Sequence, residues 1–261
     1  MSDLKQVSRD VAIATVVLNR PEKLNALTRG MWADLGATID RLGGDDALRC
    51  IVLRGAGEKA FSPGNDIGEF ATQRANKAQA IEYGHAMHAT ARSLAACPIP
   101  LVAQIHGICV GGGLEIAALC DLRICGESSR FGAPIKNLGL VMAYAEMAPL
   151  VRLAGADVAL EMLLEGRIFG AAEAKEKRLV TRVVPAAQLE AETRALAGSL
   201  AERSPAAIAL GLQAFYRSQD MEIAPQLAYL QGALGRVLAL EDAAEGIAAF
   251  LGKRKPVWRG R

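Results

Sequence analysis

"ICVGGGLEIAALCDLRIC", residues 108–125, sets three glycines between an apolar strand and an apolar, helix-forming run, with one carboxylate, Glu115, near the front of that run. Glycine tolerates positive φ and lets another atom approach the backbone closely. The first turn of a helix carries unpaired N–H groups and partial positive charge. Gly111, Gly112 and Gly113 therefore make either a close-packed turn or a site for an anionic oxygen. A phosphate is a poor fit. The segment has neither G-x-G-x-x-G nor G-x-x-x-x-G-K-[ST], and the next charged residue is an acid, not a lysine. An acid beside a carbonyl that gains charge transiently is useful, because it can move the proton while the amides hold the oxygen. Glu115 has no Ser or Thr three residues before it with which to form a capping box, and its neighbours are Leu114, Ile116, Ala117, Ala118 and Leu119. Burial of a carboxylate is costly and raises its pKa towards the range of a working acid or base.

Outward from this segment, short apolar strands alternate with helices. "VAIATVVLNRP" (11–21) reads as a strand closed by a turn, and Thr28 caps a helix in which Met31, Trp32, Leu35, Ile39 and Leu42 recur at helical spacing. "CIVLRGAG" (50–57), "LVAQIHG" (101–107), "DLRICG" (121–126) and "VTRVVP" (180–185) read as further strands, and 75–96 as a helix stopped by "CPIP". Beyond residue 185 the chain is Ala- and Leu-rich and helical, with breaks expected near Ser204-Pro205 and Ala224-Pro225. The expectation is an α/β core over 1–185 and a helical C-terminal subdomain over 186–261.

The 261 residues are just over half hydrophobic, enough for a sizeable core, and no apolar run approaches the ~20 residues that span a membrane. A charged N-terminus, "MSDLKQVSRD", lacks the apolar centre of a signal peptide, so a soluble, cytoplasmic protein is expected. Net charge is +2, which gives no broad field for nucleic acid or membrane. Only the basic tail "GKRKPVWRGR" is lopsided. Five cysteines without a CxxC pair read as small core residues, and His85 and His88, spaced i, i+3, lack the further ligands a metal site requires.

A second loop, "AFSPGNDIGEF" (60–70), again puts accessible backbone after a strand, at Gly64 and Asn65; on its own it reads equally as a Pro-Gly-Asn-Asp turn. Together the two loops resemble the crotonase, or enoyl-CoA hydratase/isomerase, family. "LNRPEKLNAL" (18–27), "AFSPGNDIGEF", "HGICVGGGLEIAALCDLRI" (106–124), "EGRIFGAAEAKEKRLVTRVVP" (165–185) and "FLGKRKPVWRGR" (250–261) are similar to its blocks, in order. The resemblance implies a spiral of ββα repeats, C-terminal helices that form a trimer or a hexamer of two trimers, and an acyl-CoA thioester as substrate. Coenzyme A is then the carrier of the acyl group, with no separate cofactor and no metal. It implies that the thioester oxygen lies between the backbone amides of Asn65 and Gly112 while Glu115 moves the proton. It further implies that Lys23, Ala60, Asp66 and Ile67 lie on the nucleotide side, and that Phe250 and Lys253 close over coenzyme A, often from a neighbouring subunit.

The chain departs from that pattern in one block. Hydratases of the family carry a second glutamate in F-G-x-P-E; here the block reads "RFGAPIKNLGL", and Ile135 stands in its place. Water there would meet an apolar wall, so slow hydration, or a double-bond shift by Glu115 alone, is expected. The acid that isomerase-like and dehalogenase-like members carry four residues after the glycine matched by Gly139 is Ala143 here, with Glu146 close by as a substitute or as a first-turn acid on the helix dipole. Without that acid, His88 is expected to be a surface or pocket-wall residue. The alternative functions that remain are a Δ3,Δ2-enoyl-CoA isomerase, another acyl-CoA lyase or hydrolase, or a non-catalytic binding member.

Overall fold

A computed structural model describes residues 6–219 and 221–260. Arg261 and the first five residues, parts of the two terminal stretches discussed above, lie outside the described residues. The strands alternate between two sheets. β2 (Ile13–Leu18), β3 (Cys50–Gly55), β5 (Leu101–Ile105), β7 (Leu122–Gly126) and β10 (Arg182–Val184) run parallel in a six-stranded sheet, with β1 (Gln6–Asp10) added antiparallel at the β2 edge. The four-stranded sheet holds β4 (Ala60–Ser62), β6 (Ile108–Val110) and β8 (Arg130–Gly132) in parallel, and β9 (Phe169–Gly170) antiparallel to β8. Thus β3–β4, β5–β6 and β7–β8 each give one strand to each sheet before a helix follows, which is the spiral of ββα repeats that the resemblance implies.

The helices of the core are α1 (Arg29–Gly43), α2 (Phe70–Gln73), α3 (Lys77–Ala96), α4 (Gly112–Leu119), α5 (Tyr144–Ala154), α6 (Ala156–Glu165) and α7 (Ala171–Glu176). Thr28 caps α1 by accepting from the Met31 N–H at 3.1 Å, and Met31, Trp32, Leu35, Ile39 and Leu42 are all buried. Strand alternation supplies both faces of the large sheet: Ile51 and Leu53 join the main core beneath α1 and α3, whereas Cys50 and Val52 meet Leu189 and Leu196 of α8 (Leu189–Ala201). α8 therefore packs on the sheet, although the sequence assigns its residues to the C-terminal subdomain.

α9 (Pro205–Ser218), α10 (Ile223–Leu238) and α11 (Glu241–Leu251) complete the chain. Ser204 caps α9 through the Ala207 N–H, as the Ser-Pro break leads one to expect. The second break likewise falls near Ala224-Pro225, as expected. The helix is interrupted before Ile223, and Pro225 sits inside the first turn of α10, where its missing N–H has no intrahelical partner to lose. Beyond α11 the tail is tied back. Asp242, 2 % exposed, accepts from Ser204 Oγ at 2.7 Å and from the amides of Arg259 and Gly260, and Arg254 grips Glu245 through two bonds of 2.6 and 2.7 Å. Among the described residues no helix is long and apolar enough to cross a membrane.

Candidate functional site

Two loops from different turns of the spiral meet at bare backbone. Gly111 has φ +50° and Gly64 φ +91°, conformations that glycine adopts freely. A Cβ on Gly64 would stand 2.5 Å from the Gly112 nitrogen, so only glycine allows this approach. The first intrahelical bond of α4 runs from Glu115 N–H to Gly111 O, which leaves the Gly112 amide ahead of the ladder. On the other loop, Leu27 donates to Gly64 O and accepts from Asp66 N–H, so this pairing skips the amide of Asn65. Neither amide is engaged by these bonds.

The chain fixes these loops through residues that the motif reading passed over. Asn25, buried and at φ +65°, donates to Ala60 O at 2.8 Å and Ala56 O at 3.0 Å, and its own carbonyl accepts from Ser62 Oγ. Ser62 Oγ in turn accepts from Gly64 N–H at 3.0 Å. Trp32 Nε1 donates to Asn65 Oδ1 at 2.6 Å, and Asn65 Nδ2 lies 3.6 Å from Met87 Sδ, so the Asn65 side chain is held by α1 and α3. Such tertiary partners leave no local spacing signal; only the positive-φ preference of Asn25 was there to be read.

Glu115 is buried in the first turn of α4. Burial is the main force that raises its pKa, to about 8; the nearby charge of Glu146 adds to it, and Arg74 opposes it. Glu115 and Glu146 line one small cavity of about 10 Å³, with Trp32, Met87, His88 and Leu119 in its wall. Such a space has room for about one water. Glu146 holds two posts. Its Oε2 accepts from the Ala143 N–H at 3.0 Å at the start of α5, and its Oε1 lies 3.8 Å from His88 Nε2. It is at once the first-turn acid and a wall of the cavity. His88 Nε2 is buried without a hydrogen-bond partner. Ile135, expected to form the apolar wall, lies on a 3₁₀ turn, Pro134–Leu138, and packs against the main core without lining this cavity. The carboxylate that faces Glu115 comes from α5 instead.

Of the residues expected on the nucleotide side, Asp66 pairs with Arg20 at 3.0 Å, and Lys23 is near enough to help hold the Asp66 carboxyl below its usual range against burial, which pushes the other way. Ile67 follows, 48 % exposed, and Ala60 is buried in β4. Phe250 and Lys253 are not brought to Glu115 within this chain. Phe250 is 83 % exposed at the end of α11, and Lys253 follows in the left-handed region. The cysteines lie mainly among apolar residues, with burial pushing the Cys50 and Cys120 thiols up to about 12, as suits core packing. Among the described residues no cluster of three metal-ligating side chains occurs.

A family model described as enoyl-CoA hydratase/isomerase matches residues 8–261. The chain belongs to the enoyl-CoA hydratase/isomerase family. Within that family it is 34 % identical over 255 residues to a probable enoyl-CoA hydratase of Mycobacterium bovis, covering 98 % of this chain and 97 % of that one. It is 31 % identical over 249 residues to the short-chain-enoyl-CoA hydratase of Clostridium acetobutylicum, covering 95 % of each. A crystal structure of an enoyl-CoA hydratase/carnitine racemase from Magnetospirillum magneticum superposes with a TM-score of 0.93 at 45 % identity, over 99 % of this chain and 96 % of that one. An enoyl-CoA hydratase from Bacillus anthracis does so with 0.94 at 31 %, over 98 % and 99 %. These matches make the α/β spiral that of the family.

Proposed function

We propose that this family member adds water reversibly across the double bond of an enoyl-CoA thioester through an enolate, with Glu115 and Glu146 sharing the proton work. The observation that carries this reading is the pair of carboxylates on one cavity, whose wall residue Trp32 reaches both the Asn65 loop and Gly112. The thioester oxygen sits between the amides of Asn65 and Gly112 and takes up negative charge as water adds to Cβ. Each such donor contributes on the order of 3 kcal/mol to the transition state. Burial favours the neutral form of Glu115, which gives its proton to Cα. Glu146, steadied by the Ala143 amide and near His88, accepts the proton of the attacking water. One proton is given and one taken, so the product is the 3-hydroxyacyl thioester, and the two acids exchange the proton through solvent. The names of the relatives, enoyl-CoA hydratases, support this choice.

The second reading, a double-bond shift by Glu115 alone, is favoured by Ile135 in the place of the second glutamate. Coenzyme A serves as the carrier, with Lys23, Ala60, Asp66 and Ile67 on its side. Phe250 and Lys253 serve a neighbouring subunit in a trimer or dimer of trimers, whose contacts would cover α10. The test is a panel of 2-enoyl-, 3-enoyl- and 3-hydroxyacyl-CoA followed by mass. Wild type should add one water to 2-enoyl-CoA, and Glu146→Gln should abolish most of that gain while sparing any shift of 3-enoyl-CoA. Failure of every 2-enoyl-CoA to gain water overturns hydration, and unchanged hydration in Glu146→Gln overturns the division of labour.

A further inference from the structure

Among the described residues two buried side-chain nitrogens lack a hydrogen-bond partner, Arg123 Nε and His88 Nε2. An unpaired buried polar atom is unfavourable, and folded proteins keep few of them. The rest of the Arg123 guanidinium is engaged, donating to the carbonyls of Ala117 and Cys120 at the C-terminal end of α4. His88 Nε2 instead stands 3.8 Å from Glu146 Oε1, about 1 Å beyond a charge-assisted hydrogen bond. Glu146 is set to receive it. Its Oε2 already accepts from the Ala143 N–H at 3.0 Å, which pins the carboxylate at the start of α5 and leaves Oε1 on the side of His88. Both side chains line the cavity that Glu115 lines. They are 32 % and 15 % exposed, so water screens the pair only in part. The other charged groups about them are few. Glu115 comes from α4, and α1 presents the uncharged Trp32. On α3 itself Glu82 and His85 pair with each other at 3.5 Å, and Arg92 lies one turn past His88. Arg74, ahead of α3, stacks on the rings of Phe70 and Tyr83, and Arg152 lies more than a turn past Glu146 on α5.

We propose that His88 is the positioning residue of Glu146: it donates from Nε2 to Glu146 Oε1 and keeps that carboxylate ionised, so that the one proton the two acids share rests on Glu115. The N–H it needs is present in one neutral tautomer and in the cation. The inference rests on the acid–base reading above and deepens it. Two adjoining carboxyls resist ionising together, and they are alike until their surroundings differ. A donor fixed on one of them decides which gives up its proton. Glu146, with Ala143 N–H on one oxygen and His88 on the other, is the acid so favoured as an anion. Its charge in turn supports the neutral form of Glu115, whose burial works in the same direction. His88 acts here through Glu146 and touches neither the thioester nor the attacking water.

The test reads the Glu146 carboxyl directly, in the full chain carrying Glu115→Gln, so that it titrates without its partner. Its protonated C=O band is followed in the infrared across pH and identified by its loss when Glu146→Gln is added. Removal of a donor to a carboxylate raises its pKa. His88→Leu should therefore raise the midpoint by about one pH unit or more, the scale of a hydrogen bond to a charged group. His88→Gln keeps an N–H donor and should hold the midpoint near that with histidine. His88→Phe takes the place of His88→Leu if the leucine variant does not fold. With Glu115 intact, His88→Leu should move the acidic limb of the kcat/KM profile on 2-enoyl-CoA to higher pH, and kcat should fall with KM little changed. An unmoved midpoint in the folded leucine or phenylalanine variant would overturn the inference. A shift of equal size in His88→Gln would also overturn it, since the side chain would then act by packing and not by its donor. If no 2-enoyl-CoA gains water, hydration falls, while the infrared midpoint still decides whether His88 holds Glu146.

Discussion

α4 and α10 are both rich in apolar residues, yet they live in opposite surroundings. α4 has eight residues, of which Gly112 through Ala117 are buried, the carboxylate Glu115 included. α10 has sixteen, of which only Ala233 is buried, and it exposes Ile223, Leu227, Leu234 and Leu238. Composition alone does not distinguish them. The difference lies in what each packs against: α4 is wedged between strands and α3, where its one acid is forced out of water, and α10 leaves an apolar row exposed on the single chain.

Glu115→Gln tests the first helix most severely. It preserves shape and removes only the proton, and turnover should fall by about 10²–10⁴ with the melting temperature largely kept. Near-normal turnover of the purified variant would show that burial of Glu115 serves packing alone. Gly112→Ala comes next. Its Cβ would stand 3.0 Å from Trp32 Cζ2 and 3.2 Å from Gly64 Cα, so the loop must yield and turnover should drop by roughly 10². Gly113→Ala would instead place a Cβ 2.1 Å from Ser62 O, and soluble protein should be lost. Equal behaviour of the two variants in steady-state assay and thermal melting would contradict this contrast.

Acidity separates the helices further. Glu115 is raised from 4.5 to about 8 in the fold, so its neutral form is the one the fold favours. Its contribution to stability is full below 4.5 and is lost as pH rises through about 8. Across that window the melting temperature of wild type should fall relative to Glu115→Gln, whose amide does not titrate. Parallel melting curves would mean the carboxyl is not held neutral. The smallest effect on the single chain is expected from Leu234→Lys on α10. The side chain is 59 % exposed, so the folded subunit should tolerate it, while light scattering should report a smaller assembly than wild type. An unchanged mass would leave the α10 row without the partner proposed for it.

Much of this was legible in the sequence, and for physical reasons. Thr28, the helical spacing after it and the glycines before Glu115 are local signals, and each acts within a few residues of where it is written. Glu146 was harder to read, because its dual post depends on α5 bringing it to His88 of α3, a contact that no spacing encodes. Ile135 was read as part of the reacting wall from its place in a motif, but on its largely exposed turn it packs, partly buried, against the core and does not line the cavity that Glu115 shares with Glu146. The roles of Asn25 and Trp32 stayed silent, since their partners lie 35 and 33 residues away. Pro225 marked the second break to within a few residues, because a first helical turn accepts proline where a helix interior does not.

The touch between Gly64 and Gly112 has a consequence for how such a chain can change over generations. The two amides are gauged against each other by direct contact of their loops, without an intervening side chain. Drift in one loop is therefore felt at once by the other, and the pair behaves as a single heritable character. A bulkier residue at either position would displace both loops, so adding the second after the first should cost much less than it does alone. A lineage that lost one of these glycines would have little left to conserve at the other.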